Sequence, residues 1–211
     1  MSMAALLEQT YPGKRAALKR RILECALLMF NAQGIESTTI EMIRDACTTS
    51  VGAIYHHFQN KEGIIAALFL LALDDQLQQR EQALTHTTSL QTVVEAIVGS
   101  YIDWVDRYPT LAQFMFSARF YIQDDRWQLE LKQLNARRNA QVISHFKTYL
   151  CLSQRQHVPI ELLPSLIIGS TENYTRAWLS QKVVNSPIHY KAFLQQAAWA
   201  AVAPHFESTV K

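Results

Sequence analysis

Apolar residues recur at the spacing of an α-helix along nearly the whole chain, and this regularity limits the possible folds more than any other feature. Leu18, Ile22, Ala26 and Phe30 lie four residues apart, which predicts an amphipathic helix over about residues 14–33. The 211 residues include only 6 Gly and 6 Pro, too few for an architecture of many strands and tight turns. We therefore predict an all-α fold.

The same spacing predicts eight more helices. They lie at about residues 39–46, 51–58, from 61 onwards, 90–108, 110–119, 125–150, 160–181 and 188–203. The fourth helix of the chain is apolar on every side from Ile64 to Leu73, so it must lie between two packed bodies. We interpret it as a connector and divide the chain into an N-terminal domain (1–63) and a larger helical domain (64–211).

Charge and apolar content exclude some classes of protein. The chain carries 20 basic and 18 acidic side chains, a net charge of +2, which neither requires nor excludes a polyanionic partner. The longest apolar run has ten residues, whereas a membrane span needs about 20. No apolar stretch of a signal peptide precedes Tyr11-Pro12-Gly13, so we expect a cytoplasmic protein. In that compartment free thiols are expected at Cys25, Cys47 and Cys151.

The second and third helices are short and separated by a tight turn. Thr38 and Glu41 have the spacing of a capping box, and Ser50 is a good N-cap for the following helix. Two short helices braced by a longer first helix form the geometry of helix-turn-helix DNA readers. Periodicity alone leaves this open, because many helical bundles contain such a corner.

The individual residues narrow the choice, because residues 19–65 resemble the DNA-binding domain of the TetR family of bacterial regulators. The matches occur at fixed spacing: Ile22-Leu23, Ala26, Phe30, Gly34, Thr38-Thr39-Ile40, Ile43, Ser50, Gly52, Ile54-Tyr55, His57-Phe58 and Lys61-Glu62. The chain departs from the family at Thr48, where the family usually has Gly. A β-branched residue is costly in a left-handed turn, so we expect the turn to be shaped differently here.

The resemblance implies that the third helix enters the major groove of DNA with its N-terminal end. Its first turn, Ser50, Val51, Gly52 and Ala53, has small side chains that permit a close approach to the bases. Val51 and Ala53 then contact thymine methyl groups, and polar contacts with bases come from Thr49 and His56.

The resemblance further implies that the Tyr55 hydroxyl and the Lys61 ammonium contact phosphates; Thr39 and Arg44 are weaker phosphate candidates. The alternative for Tyr55 is a core aromatic with its hydroxyl at the surface. His57 lies either near a phosphate or only at the closure of the domain. Adjacent histidines on a helix diverge, so we expect no metal site, and no cofactor is indicated.

Five positive charges without an acid lie at the start of the first helix. They form either an arm that neutralises phosphates or an ordinary solvated helix face. The residues are Lys14, Arg15, Lys19, Arg20 and Arg21.

For the C-terminal domain the resemblance implies a regulatory bundle with an internal pocket and a dimer interface on the last two long helices. Residues 101–127 are rich in aromatic side chains, which line either a pocket for an apolar or aromatic effector or an ordinary core. The pocket candidates are Tyr101, Trp104, Phe114, Phe120, Tyr121, Asn139, Tyr174 and Trp178. The stretches 76–80 and 133–138, rich in Gln and Arg, are interpreted as solvated faces.

Small residues on the last two long helices permit close helix contacts, either between two copies of the chain or within one core. The interface candidates are Leu166, Ser170, Asn173, Ala177, Leu194, Ala197, Ala198 and Ala201.

These patterns together predict a regulator, most often a repressor, that binds a palindromic operator in double-stranded DNA as a homodimer and is released by a small molecule. No phosphate loop, nucleophile elbow or metal triad is present in the sequence, so we do not expect an enzyme. The alternative is an all-α ligand-binding or adaptor protein with a vestigial helix-turn-helix.

Overall fold

The computed structural model describes residues 2–149 and 160–206, and this part of the chain is all-α, as predicted. Its ten α-helices are α1 (Met3–Thr10), α2 (Ala17–Gln33), α3 (Ile40–Cys47), α4 (Val51–Phe58), α5 (Lys61–Leu84), α6 (Leu90–Arg107), α7 (Pro109–Ala118), α8 (Asp125–Tyr149), α9 (Leu163–Leu179) and α10 (Lys191–Val202). Short 3₁₀ turns occur at Lys14–Ala16, Arg119–Tyr121, Ile160–Leu162, Pro187–Tyr190 and Ala203–His205. Cys151 lies outside the described residues.

The sequence interpretation missed α1. This helix has eight residues, and a helix of this length is marginal without tertiary packing. Ser2 caps it by accepting a hydrogen bond from the Ala5 amide at 3.3 Å. Its stabilisation comes from Leu6 and Leu7, which are both buried.

The chain forms two compact units, and their limits differ from a single boundary between residues 63 and 64. Unit one comprises Met1–Asp74 with Arg107–Lys132, and unit two comprises Asp75–Asp106 with Gln133–Lys211. Helices α5, α6 and α8 supply residues to both units. A division of roles between residues 1–63 and 64–211 remains a prediction.

The core of unit one holds α2, α3 and α4 together. Ile22 of α2, Ile43 of α3 and Ile54 of α4 are all fully buried. The ring of Phe30 stacks on that of Phe114 from α7, with centroids 5.7 Å apart. Each such side chain contributes about 1.5–3 kcal/mol by leaving water, so α3 and α4 are fixed against a rigid support.

Buried residues of α5, α6, α8, α9 and α10 form the core of unit two, and α6, α9 and α10 supply most of them. Gly99 permits a close approach of α10, because a Cβ at this position would lie 2.8 Å from Gln195 Nε2 and 3.1 Å from Lys191 Cε. Lys191 also forms an ion pair with Asp103 at 2.6 Å. The buried apolar residues of these three helices include Val94, Val98, Ile102, Leu163, Ile167, Leu194, Ala198 and Val202. Within the described ranges, no helix is both long enough and apolar enough to cross a bilayer.

Candidate nucleic-acid interface and candidate ligand cavity

Side-chain caps fix the start of both α3 and α4. Thr39 Oγ1 accepts a hydrogen bond from the Met42 amide at 3.3 Å, and Ser50 Oγ accepts one from the Ala53 amide at 3.1 Å. The predicted capping box starting at Thr38 is therefore wrong by one residue. Thr38 is buried instead, and its hydroxyl donates to the Gly34 carbonyl at 2.8 Å.

The turn between α3 and α4 keeps the left-handed form in spite of its threonine. Thr48 has φ 50° and ψ 57°. The Thr48 and Thr49 amides donate to the carbonyls of Asp45 and Arg44, each at 3.2 Å, which is the Schellman pattern. The expectation of a differently shaped turn is thus wrong, because these capping hydrogen bonds hold a β-branched residue in a conformation that favours Gly.

Helix α4 divides into a buried and an exposed face. Ile54 and Phe58 point into the core of unit one. Gly52, Tyr55 and His56 are exposed, and their spacing of three and four residues puts them on one face of the helix. Among the other predicted contacts, Ser50 is exposed, and Thr49, Val51, Ala53 and His57 are half-buried.

The exposed glycine of this face has no role in the packing of its own chain. A Cβ built on Gly52 would meet only Ser50 Oγ, at 4.0 Å. Glycine in a helix interior costs about 0.5–1 kcal/mol relative to alanine. Gly63 differs, because a Cβ there would lie 2.0 Å from the Phe58 carbonyl oxygen, so α5 can begin beside α4 only with glycine at this position.

Lys61 has a structural role instead of the predicted phosphate contact. Its ammonium donates to the carbonyls of Ile35 at 3.0 Å, Glu36 at 3.3 Å and Thr38 at 3.0 Å. An ammonium has three donors, and all three are used on the segment between α2 and α3. The assignment of Lys61 to phosphate is therefore corrected: the residue secures the loop that leads into the helix-turn-helix.

Arg44, a weaker phosphate candidate, is engaged by its neighbour along the chain. Its Nε and Nη2 atoms donate to the two carboxylate oxygens of Asp45 at 2.7 and 2.9 Å. This hydrogen-bonded pair raises the pKa of Arg44 and lowers that of Asp45. A phosphate would have to displace an exposed carboxylate, an interaction that contributes little to stability.

The five cations at the start of α2 do not all have the same surroundings. Arg20 pairs with Glu8 at 2.6 Å, and the Lys19 ammonium lies 4.1 Å from the centroid of the Tyr11 ring. Burial lowers the pKa of Lys19. These two cations therefore fasten the segment that follows α1. The cations of the run that are exposed at the surface are Lys14, Arg15 and Arg21.

The paired histidines do not form a metal centre. Burial, followed by the charges of His56 and Lys19, lowers the pKa of His57. Across the part of the chain that the structure describes, no three His, Cys, Asp or Glu side chains are grouped so that they could hold a metal ion.

Unit two contains a cavity of about 330 Å³ between residues of α5, α6, α8 and α9. Two of the predicted pocket residues, Tyr101 and Asn139, line it. The described residues that line it are Gln76, Arg80, Ile97, Ser100, Tyr101, Arg138, Asn139, Val142, Pro164, Ser165, Ile167, Ile168, Gly169 and Glu172.

Four of the predicted pocket residues belong to other places in the fold. Phe114 lies in the core of unit one, where it stacks on Phe30. Trp104 is buried in unit two, and its Nε1 donates to Asp75 Oδ2 at 2.8 Å. Phe120 is 75% exposed and Tyr121 37% exposed. The aromatic stretch failed as a guide because its residues are divided between two cores and the surface.

The two remaining candidates on α9 also lie outside the cavity lining. The Tyr174 hydroxyl donates to the Asn185 carbonyl at 2.9 Å, and its ring packs edge-on against Tyr190. Trp178 is half-buried and does not line the cavity. Both are therefore removed from the set of predicted pocket residues.

The cavity is polar at one end, where two arginines of unit two come together. Arg80 Nε donates to Gln141 Oε1 at 2.8 Å, and Arg80 Nη2 donates to the Arg138 carbonyl at 3.0 Å. Burial and the neighbouring Arg138 charge lower the pKa of Arg80 to about 10. Burial also lowers the pKa of Arg138, and it raises the pKa of Tyr101, to which the Glu172 charge adds. The interpretation of residues 76–80 and 133–138 as solvated faces is thus wrong for these two arginines.

Two of the predicted dimer residues are used within a single copy of the chain. Leu194 is 8% exposed and Ala198 1% exposed, and both belong to the core of unit two, so they are withdrawn from the interface. Leu166 and Ala177 are half-buried. The predicted residues that are exposed on α9 and α10 are Ser170, Asn173, Ala197 and Ala201.

The capped α3–turn–α4 corner, braced by α2 and presenting one open face of α4, defines the helix-turn-helix class. Residues 22–68 match the family model described as bacterial regulatory proteins, tetR family. This match confirms the predicted resemblance of the N-terminal segment to the TetR family.

Two curated relatives illustrate the extent of the sequence similarity. The HTH-type transcriptional repressor KstR2 of Rhodococcus jostii (strain RHA1) is 23% identical over 122 residues, which cover 57% of this chain and 59% of that protein. The probable acrEF/envCD operon repressor of Escherichia coli (strain K12) is 33% identical over 109 residues, 49% of this chain and 50% of that protein. The match thus spans little more than half the length of these relatives.

The similarity of fold extends further along the chain. The transcriptional regulator FadR from Bacillus subtilis, solved in complex with stearoyl-CoA, superposes with a TM-score of 0.70 over 87% of this chain and 98% of that chain. Its sequence identity is 12%, so this likeness concerns the fold alone.

Proposed function

We propose that the chain is a TetR-type transcriptional regulator, acting as a repressor that binds a palindromic operator as a homodimer and leaves it when a small molecule enters unit two. One observation carries the proposal: α4 is fixed on one side by Ile54 and Phe58 and presents Gly52, Tyr55 and His56 on the other. Two copies of such a helix would enter successive major grooves about 34 Å apart.

Gly52 supports the entry of α4 into the major groove, because packing within the protein does not require a glycine at this position. If the helix approaches the bases closely, a methyl group at position 52 meets DNA and not protein. We expect Gly52→Ala to leave the free protein as stable or more stable by up to about 1 kcal/mol, yet to bind operator more weakly. Selection from random duplexes would supply the operator, and gel shifts would measure affinity. A Gly52→Ala variant that binds normally would remove this argument.

Tyr55 offers a test with a smaller change in shape. Its side chain is 47% exposed, and replacement by Phe removes only the hydroxyl. Loss of one hydrogen bond to a charged phosphate corresponds to about 1.5–3 kcal/mol, a decrease in affinity of about ten- to 150-fold. The effect should be similar for all DNA sequences, because phosphate contacts position the protein without reading bases. Tyr121→Phe, an exposed tyrosine elsewhere in unit one, is the matched control and should bind like the parent protein.

The proposed homodimer rests on the outer faces of α9 and α10. Ser170, Asn173, Ala197 and Ala201 are exposed there, and Phe193 beside them on α10 is 71% exposed. Small residues let two helices approach closely, and a large exposed aromatic side chain gains by burial against a second copy. Light scattering should give a dimer for the parent protein.

We expect Ala197→Arg to shift the dimer towards monomer, whereas Gln91→Arg on the exposed face of α6 should leave it intact. Unchanged mass in the Ala197→Arg variant would refute this choice of interface.

The alternative, a ligand-binding or adaptor protein with a vestigial helix-turn-helix, predicts no sequence preference on DNA. A selection from random duplexes at moderate salt that enriches no motif would favour it over the regulator. FadR of Bacillus subtilis was solved with stearoyl-CoA, and this supports a small-molecule effector here as well, without fixing its identity.

A further inference from the structure

The cavity in unit two concentrates positive charge. Arg80 and Arg138 contribute two guanidinium groups to its lining, and Glu172 contributes one carboxylate. Among the described residues, the lining therefore has one positive charge in excess. Desolvation makes this arrangement costly unless a counter-charge enters, because buried ions are stable only when they are paired.

One donor of this cluster has no acceptor. Arg138 Nε is buried and has no hydrogen-bond partner among the residues that the structure describes. A buried N–H group without a partner costs about 1–3 kcal/mol, which an entering acceptor would recover. Arg80, in contrast, already donates to Gln141 and to the Arg138 carbonyl, so these two hydrogen bonds hold its guanidinium in place.

Among the described residues, the rest of the lining combines aliphatic and polar side chains. Ile97, Val142, Ile167 and Ile168 supply its aliphatic part, and Gln76, Ser100, Asn139 and Ser165 are polar. Tyr101 is the aromatic side chain among the described lining residues. A volume of about 330 Å³ corresponds to about ten non-hydrogen atoms when each occupies the share of one water molecule, about 30 Å³. Aliphatic walls of this extent match a short hydrocarbon body better than a polyaromatic one.

We propose that the cavity binds a small carboxylate with an aliphatic body, held by its anionic group on Arg138 and Arg80 and by its hydrocarbon part against the isoleucines and Val142. The inference rests on the proposed function, in which this ligand is the effector. A carboxylate fits better than a phosphate dianion, because one negative charge balances the excess of the lining and two would exceed it. Two planar guanidiniums also suit the geometry of a carboxylate.

Octanoate, with ten non-hydrogen atoms, is the probe, and octanamide is its uncharged equivalent of the same size. We expect calorimetry without DNA to show octanoate binding the parent protein at least about tenfold more tightly than octanamide, because a charge-assisted hydrogen bond is roughly twice as strong as a neutral one. Equal affinities for the two probes, or no binding of octanoate, would overturn the proposal.

Variants locate the site. Arg138→Gln should lower the affinity for octanoate by about tenfold or more and leave octanamide unaffected, and Arg138→Lys should lose less because it keeps the charge. Arg137→Gln, on the adjacent exposed position of α8, should bind octanoate like the parent protein. Circular dichroism would verify that each variant is folded. Undiminished octanoate binding by Arg138→Gln would refute the assignment.

A steric variant adds a test that does not depend on charge. Gly169 lines the cavity, and a Cβ on it would meet no atom within 4 Å, so Gly169→Met can extend into the space without disturbing the backbone of α9. It should abolish binding of both probes. Retained octanoate binding in this variant would show that the probe lies elsewhere.

The two proposals fail separately. If the protein selects a DNA motif but does not bind octanoate, the ligand assignment is wrong and the regulator stands. If octanoate binds as described and no DNA motif is selected, the ligand assignment stands and the regulator is wrong.

Discussion

The left-handed threonine between α3 and α4 allows a quantitative test. Thr48 has φ 50° and ψ 57°, a conformation that costs an L-residue with a Cβ about 1–2 kcal/mol. Glycine removes this strain but adds about 0.5–1 kcal/mol of chain entropy to the unfolded state. We therefore expect Thr48→Gly to raise the free energy of unfolding by up to about 1.5 kcal/mol, the difference between the two terms. For a chain of this size the melting temperature rises by up to about 6 °C.

Thr48→Asn separates strain from glycine flexibility, since asparagine tolerates the left-handed region and keeps a side chain. Its stabilisation should equal or exceed that of Thr48→Gly. Thr49→Gly, one residue later and without a positive φ, is the matched control and should be destabilising. Thermal unfolding followed by circular dichroism gives all three values. If Thr48→Gly and Thr48→Asn both melt below the parent protein, the strain argument is refuted.

Three further predictions concern groups in unit one. Lys61→Met should lower the free energy of unfolding by about 1–3 kcal/mol in thermal melts, because three carbonyls lose a charged donor; an unchanged melting temperature would contradict this role. Burial raises the pKa of Cys47 to about 12, so at pH 8 only about one thiol in 10⁴ is ionised, and peptide mass spectrometry should find Cys47 resistant to iodoacetamide until the protein unfolds. The pKa of His57 lies below its ordinary value of 6.5, so the unfolded chain takes up a proton at a higher pH than the folded chain does. The free energy of unfolding should therefore fall as the pH drops below about 6.5 towards the folded pKa. His57→Gln should weaken this pH dependence in urea unfolding measured at several pH values.

Two wrong predictions at the helix-turn-helix came from residue preferences for capping and for left-handed turns. Thr38 and Thr39 are both good caps by residue type, and the burial of Thr38 against Gly34 decides that Thr39 caps α3. At Thr48 the cost of a left-handed β-branched residue was judged correctly from the sequence. The surrounding capping hydrogen bonds outweigh that cost, and no local rule includes them.

The cavity depends on contacts between residues that are far apart in sequence, which local patterns do not predict. Arg80 and Arg138 lie in polar stretches 58 residues apart in sequence, and their meeting depends on how α5 and α8 pack in unit two. The aromatic residues from 101 to 127 looked like a pocket because they are close in sequence. Phe114 is instead buried in the core of unit one and Trp104 in the core of unit two. Burial of an aromatic ring is favourable in either core, so closeness in sequence does not bring the two rings to one site.

The amino-acid sequence by itself determined the helices from α2 onwards, the helix-turn-helix and its resemblance to a family, because helical periodicity and end signals act between residues a few positions apart. Tertiary structure alone decided the surroundings of the cations: the Lys61 ammonium donates to three carbonyls, and the buried Nε of Arg138 has no partner among the described residues. The physical reason is that the free energy of a charged group depends on its solvation and its partners, and both are set by distant parts of the chain.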